Sequence, residues 1–188
     1  MAVKLPRHVS KLIKERVFSA ADDFEYDTRS RVENGRFLNQ LAANPEIGGI
    51  LSDYMEESAV RTYIKDGVLN AYSKRLIRKK LNQITNSQVV QAVYGETADV
   101  VGQIQATSIL RSNNNDVFLL QSGTVLKWET ALRKLLECVV ANPQISNTAR
   151  SVKLCLVLVV HNGEMSFGDQ TQIESALDYI GVKVFFVK

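Results

Sequence analysis

Cysteine and histidine are both scarce in this chain of 188 residues, which carries two of each. Cys138 and Cys155 lie too far apart for a CxxC motif, and with only His8 and His161 beside them a zinc site of the usual Cys/His type is not expected. Each cysteine lies in an apolar run. This pattern predicts two buried, reduced thiols and a reducing compartment such as the cytoplasm.

Long hydrophobic runs are missing as well. The longest covers residues 154–160, which is far short of the ~20 residues that cross a bilayer as a helix. The basic residues within 1–7 have no apolar segment behind them, so we expect no secretory signal. We therefore predict a cytoplasmic protein that makes no membrane contact.

The common catalytic motifs are also absent from the sequence. It contains neither GxxxxGK[ST] nor GxGxxG, the loops that cradle phosphates in many nucleotide-binding proteins. It has no GxSxG elbow, the strand-to-helix turn that presents a nucleophilic serine. With two histidines far apart in sequence, a Ser-His-Asp set would require a coincidence of folding.

Apolar residues recur at helical spacing through the first 86 residues. We predict one helix capped by Ser10, a second capped by Asp27, a short third that starts at Pro45, and a long fourth that begins at Ser58 and ends near residue 84. Residues 1–86 are thus predicted to form a helical N-terminal region.

The pattern changes after residue 86. The predicted elements are a helix over 88–94, a β-hairpin with strands 107–111 and 117–121, a helix over 126–139, a strand over 152–160, a loop at 161–163, a helix from a cap at Asp169 to Gly181, and a strand over 182–187. The core is therefore β-β-α-β-α-β with a mixed sheet, which makes the fold class α+β or α/β. Residues 87–188 form this core, either as a second domain or within one continuous domain.

The stretch 116–143 reads Asp-Val-Phe-Leu-Leu-Gln-Ser-Gly-Thr-Val-Leu-Lys-Trp-Glu and continues into a helix that ends at Asn-Pro. Together with the β-β-α-β-α-β order, it resembles the signature strand and following helix of the restriction-endonuclease-like (PD-(D/E)XK) nucleases. The resemblance covers residues 88–188 and implies that fold.

In those nucleases two carboxylates hold Mg²⁺, and a lysine positions or activates water against the scissile phosphate. The resemblance places Gln121 where the family has its strand acid, Gly123 where it has its lysine, and Thr107 near its upstream aspartate. A neutral amide, a hydroxyl and a glycine bind a divalent cation poorly, because hard cations prefer charged oxygen ligands. We therefore interpret Thr107, Gln121 and Gly123 as vestigial motif positions. The chain is predicted to have the nuclease fold, to lack its catalytic residues and to bind no cofactor.

A rearranged site is the alternative, and it would use Mg²⁺. The acids Glu96, Asp99, Asp116 and Glu129 are expected near the edge of the site, with Lys127 as a displaced lysine. Each also has a structural explanation. Asp116 closes an Asn-rich turn, which aspartate favours, and Lys127 and Glu129 begin a helix with a solvated face.

Basic residues are concentrated in 61–80, which holds seven of them against the single acid Asp66, in a chain whose net charge is +3. Five are candidates for contacts with nucleic-acid phosphates: Lys74, Arg75, Arg78, Lys79 and Lys80. The alternative is that they are the solvated face of an amphipathic helix.

Three functional hypotheses follow. The first is a nuclease-fold protein without cleavage activity that serves as a DNA-associated or scaffolding subunit; the resemblance suggests a restriction, antiphage-defence or transposition-type assembly. The second is an active Mg²⁺-dependent endonuclease with a rearranged site. The third is a protein-interaction module that never contacts nucleic acid. A protein partner or a homo-oligomer is expected in the first and third cases.

Overall fold

The computed structural model describes residues 5–160 and 167–188. The chain forms two compact units, Met1–Leu76 and Ile77–Lys188, and its fold is mixed α+β. The division falls earlier than the predicted boundary between residues 86 and 87, inside a helix. In the described ranges, no helix combines the length and the apolar character needed to cross a membrane.

The first unit is helical. Its elements are α1 (Arg7–Asp23), α2 (Arg31–Ala43), a π-helical turn (Pro45–Gly49), α3 (Ile50–Ser52), α4 (Glu57–Thr62), a second π-helical turn (Tyr63–Leu69) and the start of α5 (Asn70–Asn82). The predicted long helix is thus α4 to α5 with a π-helical turn in its middle. That turn includes Gly67, the residue expected to weaken the helix.

The predicted caps of these helices were wrong. Helix α1 begins at Arg7, and the Ser10 amide donates to the Pro6 carbonyl, so Ser10 lies in the first turn. The cap of α2 is Ser30 rather than Asp27, because Ser30 and Glu33 form a reciprocal capping box. Ser58 likewise lies inside α4, which starts at Glu57.

Gly48 has the closest neighbours of the described glycines in the first unit. It is buried in the first π-helical turn, and a Cβ atom there would lie 1.8 Å from the carbonyl oxygen of Ala42 at the end of α2. Nearby, the aromatic rings of Phe24 and Phe37 stack at 4.3 Å, and the Tyr72 hydroxyl donates to Asp22 at 2.6 Å. The described helices of this unit therefore pack through a side-chain core and, at Gly48, through a close backbone contact.

The second unit contains the end of α5, α6 (Asn86–Tyr94), β1 (Ala98–Ile104), β2 (Thr107–Ser112), β3 (Val117–Thr124), a 3₁₀ turn (Val125–Lys127), α7 (Trp128–Ala141), α8 (Pro143–Thr148), β4 (Val152–Val159), α9 (Phe167–Tyr179) and β5 (Val182–Val187). The strands form one sheet in the order β1-β2-β3-β4-β5. The first three are antiparallel, whereas β3, β4 and β5 are parallel.

The predicted hairpin, the two later strands and the helices between them are present, and one further strand, β1, precedes them. Asp169 lies within the first turn of α9 rather than at its cap, and Gly181 ends that helix with a φ of 77°. The predicted loop at 161–163 falls outside the described residues.

The central strands β3 and β4 are buried on both faces over most of their length. Leu119, Leu156 and Leu158 pack under α7 and α9, while Phe118 and Val157 pack under α6. Both cysteines are buried and free, as predicted, and burial raises the pKa of the Cys155 thiol to about 12. These two covered faces explain the apolar run at residues 154–159 of β4.

Candidate functional site

Two of the three positions that the resemblance predicts as former motif sites lie side by side in the structure. Thr107 opens β2 and lies directly opposite Gln121 in the antiparallel pairing with β3. The Thr107 hydroxyl donates to Gln121 Oε1 at 2.8 Å, and Gln121 Nε2 donates to the Ser122 carbonyl at 3.0 Å. The two residues are 2% and 3% exposed. The pair is therefore a satisfied, neutral hydrogen-bond unit inside the core.

The third position, Gly123, is closed by packing. It follows Gln121 by two residues, so a side chain there would point to the same face of the sheet. A Cβ atom at Gly123 would lie 2.9 Å from the Cβ of Ala131 on α7. A lysine at this position would require α7 to move, because the neighbouring atom belongs to a short, rigid side chain.

Two candidate acids of the rearranged site meet elsewhere, around a lysine that the sequence pattern did not single out. Lys153 on β4 forms ion pairs with Glu96 and, at 3.3 Å, with Asp116 Oδ2. Its ammonium lies 5.3 Å from the centroid of the Phe118 ring. A charged residue in the otherwise apolar run of β4 was the available signal, since such a residue requires a partner.

Asp116 is also held by Ser151, whose hydroxyl donates to Oδ1 at 2.7 Å. This hydrogen bond, followed by the contact with Lys153, lowers the pKa of Asp116 below its ordinary value. The carboxylate closes the turn before β3, where the Asp116 amide also meets the Ser112 hydroxyl at 3.3 Å. In this arrangement both oxygens of Asp116 are engaged with residues of the fold.

The lowered pKa gives an expected pH dependence. Asp116 supplies stability that is fully present above its unfolded pKa of about 3.9 and is lost as the pH falls through the lower folded value. Replacing Ser151 with alanine should bring the pKa of Asp116 in the folded protein back toward its ordinary value. The variant should therefore lose less stability than the wild-type protein as the pH falls. Carboxyl NMR titration and thermal melts from neutral pH to about pH 3 measure both effects. Ser146→Ala, at an exposed site in α8, is the control, and an Asp116 titration identical in the two variants would contradict the assignment.

The remaining acids of the rearranged site are dispersed. Asp99 on β1 is exposed, and so is Glu129 at the start of α7. Glu129 borders a groove of about 410 Å³ along the outer side of α7, whose apolar lining includes Trp128 and Leu132. Within residues 5–160 and 167–188, no three His, Cys, Asp or Glu side chains are placed to hold a metal ion.

Lys127 belongs to a different cavity, of about 260 Å³, at the carboxyl end of β3. Ile77 and Leu81 of α5 and Ala131 of α7 supply its apolar lining, and Lys134 joins Lys127 at its border. All of these residues lie in the second unit. The carboxyl ends of parallel strands are where open α/β sheets commonly bind ligands.

The five basic residues lie on α5, which carries no acidic residue between Asn70 and Asn82. Lys74, Arg75, Arg78 and Lys79 are exposed, whereas Lys80 is half-buried. The Arg75 guanidinium lies 5.5 Å from the centroid of the Phe18 ring, so it also has a packing role.

Comparison of the chain with protein-family models, with curated proteins and with solved structures gives no match in any of the three.

Proposed function

We propose that this protein is a nuclease-fold subunit without cleavage activity of its own, which binds the nucleic-acid backbone through α5 within a larger nucleic-acid-processing or defence assembly. The observation that carries the proposal is the charge of α5: five basic residues and no acid in thirteen positions. An exposed helix that served only for solubility would more commonly mix charges of both signs in pairs. A helix that carries basic residues and no acidic ones is suited to contact a row of negatively charged phosphates.

The absence of cleavage is supported by the chemistry of the motif positions. Thr107 and Gln121 are neutral and bonded to each other, and Gly123 faces Ala131. Incubation of the purified protein with DNA and Mg²⁺ or Mn²⁺ tests this part directly. Cleavage that disappears in Asp116→Ala or Glu96→Ala would replace the proposal with the rearranged nuclease.

Binding through α5 predicts a specific salt dependence. In the triple variant Lys74→Gln, Arg78→Gln, Lys79→Gln, DNA affinity should fall at every ionic strength. The slope of log K against log salt should decrease by about 0.9 for each phosphate that the variant no longer neutralises. Arg75 and Lys80 are left in place because they also pack against the protein. Fluorescence anisotropy with a labelled duplex, repeated over a salt series, measures the slope.

The matched control removes the same formal charge elsewhere. Lys11, Lys65 and Arg133 are exposed, and each pairs with a neighbouring acid at 3.6–3.9 Å. Changing these three to glutamine should leave the slope unaltered. An equal fall in affinity in the two triple variants would mean that net charge alone drives binding, and the proposal would fail.

A protein-interaction module is the second candidate, and one observation favours it. Along the outer groove of α7, Leu136 is 40% exposed and Val140 82% exposed. Exposed apolar rows of this kind often mark protein contacts. Sedimentation of the wild-type protein and of Val140→Asp tests whether this face joins copies of the chain. Self-association that disappears in the variant, combined with no DNA binding at low salt, would favour this function over the first.

A further inference from the structure

The cavity at the end of β3 has a chemistry of its own. Both ionisable side chains among its lining residues in the described part of the chain are lysines, Lys127 and Lys134. Three hydroxyl-bearing residues also line it: Ser122, Thr124 and Thr130. Cations and hydroxyls together favour an anionic ligand rich in oxygen acceptors, as a phosphate group is.

The spacing of the two lysines and the apolar lining restrict the class of ligand that the cavity can bind. Lys127 ends the 3₁₀ turn directly before α7, and Lys134 lies two turns into that helix, so their backbone positions are about 10 Å apart along the helix axis. The apolar surface of Ile77, Leu81 and Ala131 lies within the same cavity. A ligand that matches both the lysines and the apolar surface has an apolar body with anionic groups at its ends.

A cavity of about 260 Å³ lies just below the ~300 Å³ at which pockets for drug-sized ligands begin. One nucleotide unit fits this scale, whereas an extended cofactor does not. We propose that the cavity binds one nucleotide of a single-stranded nucleic acid, with the base and sugar on the apolar surface and the flanking phosphates at Lys127 and Lys134. This inference rests on the proposed nucleic-acid function and adds a second contact point to it.

Single-stranded nucleic acid is specified because a base can enter a cavity only when it is unstacked and unpaired. A duplex would reach the exposed basic residues of α5 without using the cavity. The two contact sites are therefore expected to differ in what they bind. Helix α5 binds both single-stranded and duplex nucleic acid, whereas the cavity binds only the single-stranded form.

The test compares oligothymidylate with duplex DNA of the same length by fluorescence anisotropy at low salt. In Lys127→Gln, Lys134→Gln, oligothymidylate binding should weaken by at least about tenfold, since hydrogen bonds to charged groups contribute on that scale. Duplex binding should change little. Thr130→Trp should have the same selective effect, because Thr130 is exposed on α7 and a large side chain there fills the cavity without disturbing the core.

Lys11→Gln, Arg133→Gln is the control, since it removes two positive charges outside the cavity. The cavity assignment would be overturned if both cavity variants bound oligothymidylate as tightly as the wild-type protein. If the α5 variant had also lost duplex binding, the proposed function would still stand. A wild-type protein that binds neither form at low salt would overturn both. Thermal melts of every variant identify any loss of folding.

Discussion

Replacing Gly48 with alanine should destabilise the first unit more than the same substitution at any other described glycine of that unit. The new Cβ would lie 1.8 Å from the Ala42 carbonyl oxygen, less than any real contact allows. Both groups are backbone or backbone-fixed, so relief requires α2 and the π-helical turn to separate. We expect a decrease on the order of 4 kcal/mol in the free energy of unfolding, measured by urea denaturation followed by circular dichroism.

Two neighbouring glycines are matched controls. Gly49 is exposed, has a helical φ of −57°, and its Cβ would be 3.8 Å from Pro45. Gly35 lies within α2 with nothing inside 4 Å. Alanine at either site should stabilise the unit by about 0.5–1 kcal/mol through helix propensity. A Gly48→Ala protein as stable as these controls would show that the close contact with Ala42 does not exist.

Much of the second unit could be predicted because its buried strands are rich in β-branched and aliphatic residues. The hairpin register follows from the turn at 112–116, which places Thr107 opposite Gln121. Strand β1 was missed for a physical reason. Val100 and Val101 are both exposed, and the pairing with β2 is irregular between Val100 and Gly102. The period-two pattern of a half-buried strand is therefore disrupted.

The helix starts show where local signals compete. Ser30 and Glu33 form a capping box that is visible in the sequence, yet Asp27 satisfies the simpler rule for a cap. At α1 the fixed φ of Pro6 precedes the first turn, and no side chain supplies a capping hydrogen bond. Element type was thus determined by apolar periodicity, whereas the boundaries depended on details of single side chains.

The ion-pair cluster could not be predicted from local pattern. Lys153 meets Glu96 and Asp116 across 57 and 37 residues of sequence. The parallel pairing of β3 with β4 brings Asp116 close to Lys153, whereas Glu96 comes from the segment between α6 and β1. The cavity at the end of β3 has the same origin, because α5 and α7 are distant in sequence. Sites whose residues come from elements distant in sequence can be predicted only when the order of the strands in the sheet is known. The sequence pattern did not determine that order.

The second large effect is expected for Gln121→Glu, which places an acid at the strand position where the nuclease resemblance predicts one. The carboxylate would be almost fully buried, with the Ser122 carbonyl oxygen where the amide now donates. An uncompensated buried charge of this kind costs about 3–5 kcal/mol. Burial would raise the folded pKa of the new carboxyl above its unfolded value of about 4.3. The destabilisation relative to wild type should therefore grow as the pH rises through that value and shrink in acid, where the protonated acid can again donate to Ser122.

Gln121→Met separates charge from hydrogen bonding. It keeps the length of the side chain and removes both hydrogen bonds, so it should cost about 1–3 kcal/mol with no added pH dependence. Urea unfolding of the three proteins at neutral and acidic pH measures the difference. Mg²⁺ should not rescue Gln121→Glu, since Thr107 offers only a hydroxyl beside it. Stability equal to wild type at neutral pH, together with a gain in stability from Mg²⁺, would contradict this expectation. Position 121 would then be able to hold a metal ion, and the closed, neutral packing around Gln121 would not exclude a carboxylate.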